Sequence, residues 1–268
     1  MQQIICMKHI LYLSLILLVA CNNNEVAQSN DETPPKEKQL ADAIKQFPDS
    51  TILVENLAQY YRENGNYDKA ISTVNNILHT DSLNARFWDV KATLHFEVGD
   101  TLSAIRAYER SIDINPQPDV IISLGVLYAQ TKNPLALAMA DGLIMANKAA
   151  AEKEAFFIKG LYFSNTNDKT NAILFFDKCI AINYTFMEAY REKAIALYDL
   201  GKYKEALDIL DKAVTLQNNF DEGYYYMGRT LEKMNKASEA IDMYQTALLY
   251  DPGYIEAKEA LARLGIKN

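Results

Sequence analysis

Side chains able to do chemistry are scarce in this chain. Its histidines are His9, His79 and His95, and its cysteines are Cys6, Cys21 and Cys179. A Ser/His/Asp or Cys/His nucleophile needs an imidazole that a third group orients. Beyond the first stretch only His79 and His95 could supply one, and neither lies in a pattern that names its partner. The cysteines are too few and too scattered for a disulfide framework or a zinc site. No Gly-rich phosphate loop, no His-Glu-x-x-His and no acidic calcium loop is present. The reading is therefore no enzyme, no metal and no cofactor. A formal charge of −8 also leaves nothing basic enough to follow a phosphate backbone, which sets nucleic acid aside as a partner.

Cys21 is the exception, because of what precedes it. Lys8 and His9 lead into an apolar run, Ile10 to Ala20, which ends at Cys21. A positive end, a short apolar stretch and a small residue before the break make a secretory signal, and the run is too short to span a bilayer as a stable helix. Leu18-Val19-Ala20-Cys21 resembles the bacterial lipobox. That resemblance implies cleavage after residue 20 and acylation of the Cys21 thiol; the alternative is an ordinary signal peptide with an incidental cysteine. Met7-Lys8 looks a more natural start than Met1. Two or more acyl chains would hold the protein stably at a membrane. Residues 21–37 are mostly Asn, Ser, Asp, Glu, Pro and Lys, a composition that cannot bury a core and reads as a disordered tether. In Gram-negative lipoproteins Asp after the cysteine can mark inner-membrane retention. Asn22 stands there instead, so the resemblance places the chain in the cell envelope at the outer membrane, facing the periplasm, with surface exposure left open.

The elements that follow are helical. Apolar residues make up 49% of the chain, and 10 Gly with 7 Pro leave little room for long loops. Trp88, Ala92, Gly99, Ala104, Tyr108 and Pro116 sit at offsets that recur every ~34 residues. That set resembles the tetratricopeptide repeat, in which each copy is helix, turn, helix. The resemblance implies an all-α, right-handed α-solenoid of about six copies with capping helices. The copies are 51–84, 85–117, 118–152, 153–186, 187–220 and 221–254. Residues 38–50 form an N-terminal cap, with Leu40, Ala43 and Phe47 on one face. Residues 255–268 form a C-terminal cap, with Leu261 and Ala262 inward. Copy 118–152 is irregular. Asp141 falls on a packed position unless one residue is missing from its turn, in which case Ala136, Ala140 and Leu143 take those positions and a longer loop follows Ala146. Its second helix, with Leu135, Leu137, Met139, Leu143, Ile144 and Met145, is apolar on nearly every side and leaves contact with a partner or a homodimer open.

Within the repeat register His95 takes a position that Tyr61 and Tyr128 fill elsewhere, which makes it a packing residue. Cys179 stands where Ala213 and Ala247 stand, and reads as a small buried residue. Asp119, Glu154, Glu188, Glu222 and Glu256 share the second position of successive first helices, where acids complement the helix dipole and could also line a rim for a basic partner. The family's clamp for C-terminal carboxylates needs Lys at that same position, and no window of this chain supplies it. The resemblance places the ligand-facing wall on the fifth, ninth and twelfth positions of the first helices. Those positions give a partner-binding groove of Phe96, Ile122, Val126, Phe157, Leu161, Arg191, Ile195, Tyr198, Tyr225 and Arg229. The wall is apolar with arginine at one side, which suits an amphipathic helix or extended peptide carrying an acid; the competing reading is that a tight coil buries these residues as core. The expected function is a lipid-anchored scaffold that binds another protein and aids assembly of an envelope complex. The alternatives are an adaptor for a periplasmic protease or cell-wall hydrolase and, last, an enzyme in its own right.

Overall fold

The structure, a computed structural model, describes residues 35–266. The expected signal peptide, Cys21 and the tether through residue 34 lie outside the described residues. Among those described, every regular element is an α-helix. After α1 (Lys36–Gln46) come the pairs α2 (Thr51–Glu63) with α3 (Tyr67–Thr80) and α4 (Ala85–Glu97) with α5 (Thr101–Ile114). Then follow α6 (Pro118–Gln130), the long α7 (Leu135–Asn165) and α8 (Lys169–Ile182). The chain ends with α9 (Met187–Asp199), α10 (Tyr203–Leu216), α11 (Asp221–Lys233), α12 (Ala237–Tyr250) and α13 (Ile255–Arg263). Two compact units result, one through Ala107 and one from Tyr108. In the first, Val54, Ala58, Val74, Phe87 and Leu94 build the core. In the second, each helix from α6 onward packs on the next, and α9 also meets α7 and α11.

One turn recurs through the fold. Seven residues after the small residue of each first helix the backbone goes left-handed, at Gly65, Gly99, Lys132, Asn167, Gly201 and Asn235, with Gly265 closing α13 in the same way. The following N–H then reaches back to a carbonyl of the last turn, as in Asn66 N to Tyr61 O (2.8 Å) and Lys202 N to Leu197 O (2.9 Å). This closure satisfies carbonyls that a helix end leaves unpaired and reverses the chain in a fixed direction. The two helices of a hairpin can then touch closely because one of them lacks bulk. A Cβ on Gly160 would lie 2.5 Å from the Phe176 ring, and one on Gly228 would lie 2.6 Å from the Tyr244 ring.

The irregular copy keeps this turn and loses its residue just after it. Elsewhere the small residue of the second helix bonds four residues back, as Ala70 N does to Asn66 O; in this copy Ala136 N bonds Asn133 O, three back. Ala136, Ala140 and Leu143 are accordingly buried, while Asp141 is exposed and pairs with Lys159 at 2.6 Å. The loop expected after Ala146 is absent. Only Asn147 leaves helical geometry (φ −159°, ψ 88°) within α7. Its side-chain oxygen accepts from Ala150 N at 3.2 Å, so it caps the next turn, and the run Lys148-Ala149-Ala150-Ala151-Glu152 propagates helix at once. The first helix of the fourth copy therefore starts before residue 153.

Both caps differ in detail from the expectation. Phe47 is 62% exposed, because it is the residue that ends α1; Ile44 packs on the core instead. Glu37 also ties α1 down, accepting from the Tyr61 hydroxyl at 2.8 Å. At the other end Ala257, Ala260 and Leu261 are buried, the i, i+3, i+4 face of α13, and Ala262 points outward.

The contact geometry fixes the outcome of two substitutions of the same kind. Gly160→Ala should lower stability by about 1–3 kcal/mol through overpacking. Gly142→Ala, in α7 with nothing within 4 Å of the new methyl, should raise it by about 0.4–1 kcal/mol. Denaturant midpoints at unchanged slope would check both.

Candidate functional site

The wall residues come from the first helices, and packing sorts them into three groups. Val126 (8% exposed) and Leu161 (7%) belong to the core. For these two residues the wall and the core are the same surface. Ile122, Phe157, Ile195, Tyr198, Tyr225 and Arg229 in the second unit, and Phe96 in the first, remain half-buried. Phe157 is tied inward, with the Phe186 ring edge-on at 5.0 Å and the Phe176 ring at 5.9 Å.

Arg191 forms the third group. It is 7% exposed, holds Glu192 at 3.1 Å and reaches across to Glu222 of the next first helix. Its charge is therefore spent inside the fold. The same span recurs elsewhere on the first helices. Arg86 binds Glu55, with Nη2 to Oε2 at 2.8 Å, and Arg263 binds Glu232 at 2.7 Å. Arg62 binds Glu97, with Nε to Oε2 at 2.7 Å. Ion pairs between successive first helices thus use most of the wall's arginines. One of them also accounts for an acidic second position, since Glu222 faces Arg191; Glu154 instead pairs with its chain neighbour Lys153 at 3.0 Å, and Asp119 is exposed.

An aromatic group surrounds the remaining arginine. The Arg229 guanidinium lies 5.3 Å from the Tyr198 ring, 5.9 Å from Tyr225 and 5.4 Å from Tyr226. Tyr225 in turn meets Tyr254 at 4.9 Å and Tyr244 at 5.7 Å. Burial, then the hydrogen bond to Glu232, drives the Tyr244 hydroxyl far above its ordinary pKa, so it stays a donor. Tyr226, Tyr254 and Phe186 were not among the expected wall residues. The run Tyr224-Tyr225-Tyr226 carried a signal, but register alone does not tell which ring turns toward the arginine.

The residues weighed for catalysis have structural surroundings. His95 is half-buried, with Nδ1 3.3 Å from Asp100 Oδ2. The Ser103 side chain and N–H both bond the Asp100 carboxyl and hold it below the usual range, so the hydroxyl serves the carboxylate. Cys179 is fully buried, its Sγ donates to Lys153 O at 3.4 Å, and burial pushes the thiol up to about 12. Among the described residues no group of His, Cys, Asp and Glu could hold a metal ion, and no helix is long and apolar enough to cross a membrane. The apolar second helix of the third copy is covered on one side: Leu143 is buried and Leu137, Met139 and Ile144 are half-buried, while Leu135 (48%) and Met145 (87%) are exposed.

Comparison with known proteins matches this architecture. Sequence profiles of the tetratricopeptide repeat match residues 37–85 and 55–119, 153–186 and 172–264. An uncharacterised protein of Methanocaldococcus jannaschii is 38% identical over 53 residues, a match spanning 20% of this chain and 62% of that one. A solved tetratricopeptide repeat protein from Parabacteroides merdae superposes with a TM-score of 0.74 at 20% identity, over 85% of this chain and 91% of that chain. PilW, described as a widely conserved type IV pilus biogenesis factor, superposes with a TM-score of 0.62 at 16% identity, over 79% of this chain and 99% of that chain. At these identities the likeness is one of fold.

The two arginines on the wall should respond differently to removal. Arg191→Ala leaves Glu192 and Glu222 half-buried without their cation, and should cost about 2–4 kcal/mol, read from thermal or denaturant melts. Arg229→Ala strands no carboxylate and should cost about 1 kcal/mol, the scale of lost ring contacts. Alkylation followed by peptide mapping should find Cys179 unreactive in the native protein at pH 8 and reactive once denatured, since both burial and its raised pKa withhold the thiolate.

Proposed function

We propose that this chain, an α-solenoid of tetratricopeptide repeats, is a membrane-tethered scaffold that docks a protein segment on the first-helix wall of its second unit. The observation that carries the docking site is the half-buried aromatic wall of Tyr198, Tyr225 and Tyr226 around Arg229. Tyrosine and arginine are the side chains that most often anchor interfaces, since they offer large contact area with polar ends. Ile195 beside them adds apolar surface. A peptide or amphipathic helix laid along α9 and α11 would cover these groups.

Tethering rests on Leu18-Val19-Ala20-Cys21 and the polar stretch that follows. Acylation of Cys21 would hold the repeats close to a membrane, at the periplasmic face of the outer membrane by the reasoning on Asn22. A scaffold in that position suits the assembly of an envelope complex. It needs no catalytic group of its own.

Two measurements test the parts separately. Labelled palmitate should enter the wild type and not Cys21→Ala; a soluble, cleaved and unlabelled wild-type protein would overturn the tether. A photo-crosslinking residue placed at Tyr198 or Tyr225 in cells should trap one defined protein, and the same residue at the exposed Leu174 should not. Equal trapping at both places would remove the wall as the docking surface.

A further inference from the structure

Among the described residues, Arg229 is the arginine of the first helices that holds no carboxylate. Arg62, Arg86, Arg191 and Arg263 each hold a carboxylate. Among the described residues Arg229 is in no ion pair and no oxygen accepts a hydrogen bond from its guanidinium, which lies against the rings of Tyr198, Tyr225 and Tyr226. Its natural acid neighbour on the same helix is Glu232, one turn on. That carboxylate is already committed, accepting from the Tyr244 hydroxyl and from Arg263 at 2.7 Å. Ring faces attract a guanidinium but accept none of its in-plane N–H groups. The side chain is half-buried, so water competes less for those donors than it would at an open surface.

We propose that Arg229 receives an Asp or Glu side chain of the docked segment, with Tyr198 and Tyr225 taking the apolar groups that flank it; this rests on the docking reading above. The pairing restores to Arg229 the carboxylate that every other first-helix arginine has within the fold. It also gives the wall a selection rule. The net charge of −8 disfavours an acidic segment at long range, and Arg229 offers it a cation set among apolar contacts at this position. Charge-assisted bonds to a guanidinium fork are directional, so the acid should occupy one fixed place in the bound sequence.

The test uses the purified full chain and a random peptide library displayed with fused C-termini, so that side chains supply the only peptide carboxylates. Wild type should enrich peptides with Asp or Glu at one fixed position beside aromatic or aliphatic residues. Replacing that acid by its amide should weaken binding to wild type by about tenfold or more and leave binding to Arg229→Gln unchanged. Arg229→Lys should keep the acid preference in weaker form, because it retains the charge without the fork. The acid-to-amide comparison on wild type needs no variant to fold, and an enriched set without acid preference would overturn the proposal while leaving the docking reading in place. The same holds if the amide costs as much on Arg229→Gln as on wild type, which would make Arg229 a packing residue. Failure of wild type to enrich any peptide would remove both the pairing and the docking site.

Discussion

Close approach of two helices within each hairpin is the contact from which the rest of the structure follows. It needs a small residue on the first helix, a filling side chain on the second, and a turn that brings them together at the right height. Gly160 under Phe176 and Gly228 under Tyr244 show how little room remains. The left-handed residue at each turn sets the height, since it closes the first helix after a constant number of residues. Glycine takes that conformation freely; at Lys132, Asn167 and Asn235 the cost of a side chain there is borne by the packing around it. The irregular copy keeps the turn and shortens the entry to its second helix, which shows which of the two features the fold requires.

Electrostatics along the first helices follows from the stacking of hairpins. Successive copies bring the fifth position of one first helix near the second position of the next, so Glu55 meets Arg86 and Arg191 meets Glu222. In an isolated helix these residues would be a charged surface. Stacked, Arg191 and Glu222 form a largely buried pair in which removal of one member strands the other, while Arg86 stays exposed against Glu55. The consequence for function is subtractive. Several charges that could greet a ligand are already used, and what stays accessible on the second unit's wall is mostly aromatic and aliphatic, with Arg229 among the tyrosine rings.

The residues weighed for catalysis have surroundings of their own. Catalytic groups need aligned partners and accessible reacting atoms. His95 has Nδ1 oriented by Asp100 at 3.3 Å, and Cys179 is sealed in the core, where burial raises its thiol pKa. The tyrosines around Arg229 offer contact area and a charge with fixed direction, which are the requirements for holding a peptide.

Repeat architecture was legible in the sequence because its cause is local and periodic. Small and large residues at fixed offsets dictate helix, turn and helix wherever they recur, so the hairpins, their turns and even the missing residue near Pro134 could be read from Ala136, Ala140 and Leu143. The leader was read in the same way, from a linear signal around Cys21, and it lies outside the described residues. The wall was only partly legible. Register named Tyr198, Tyr225 and Arg229, but it placed Val126, Leu161 and Arg191 beside them as equals. Only the tertiary structure separated these residues, burying the two aliphatic ones and closing Arg191 on Glu222. It likewise turned Asn147 into a cap where a loop was expected, and brought Tyr226 and Tyr254 into the aromatic group. Periodicity records which face a residue lies on. How deep that face sits, and which charge across the next helix consumes its own, depends on neighbours about 31 residues away, and a single-chain pattern does not encode that distance in space.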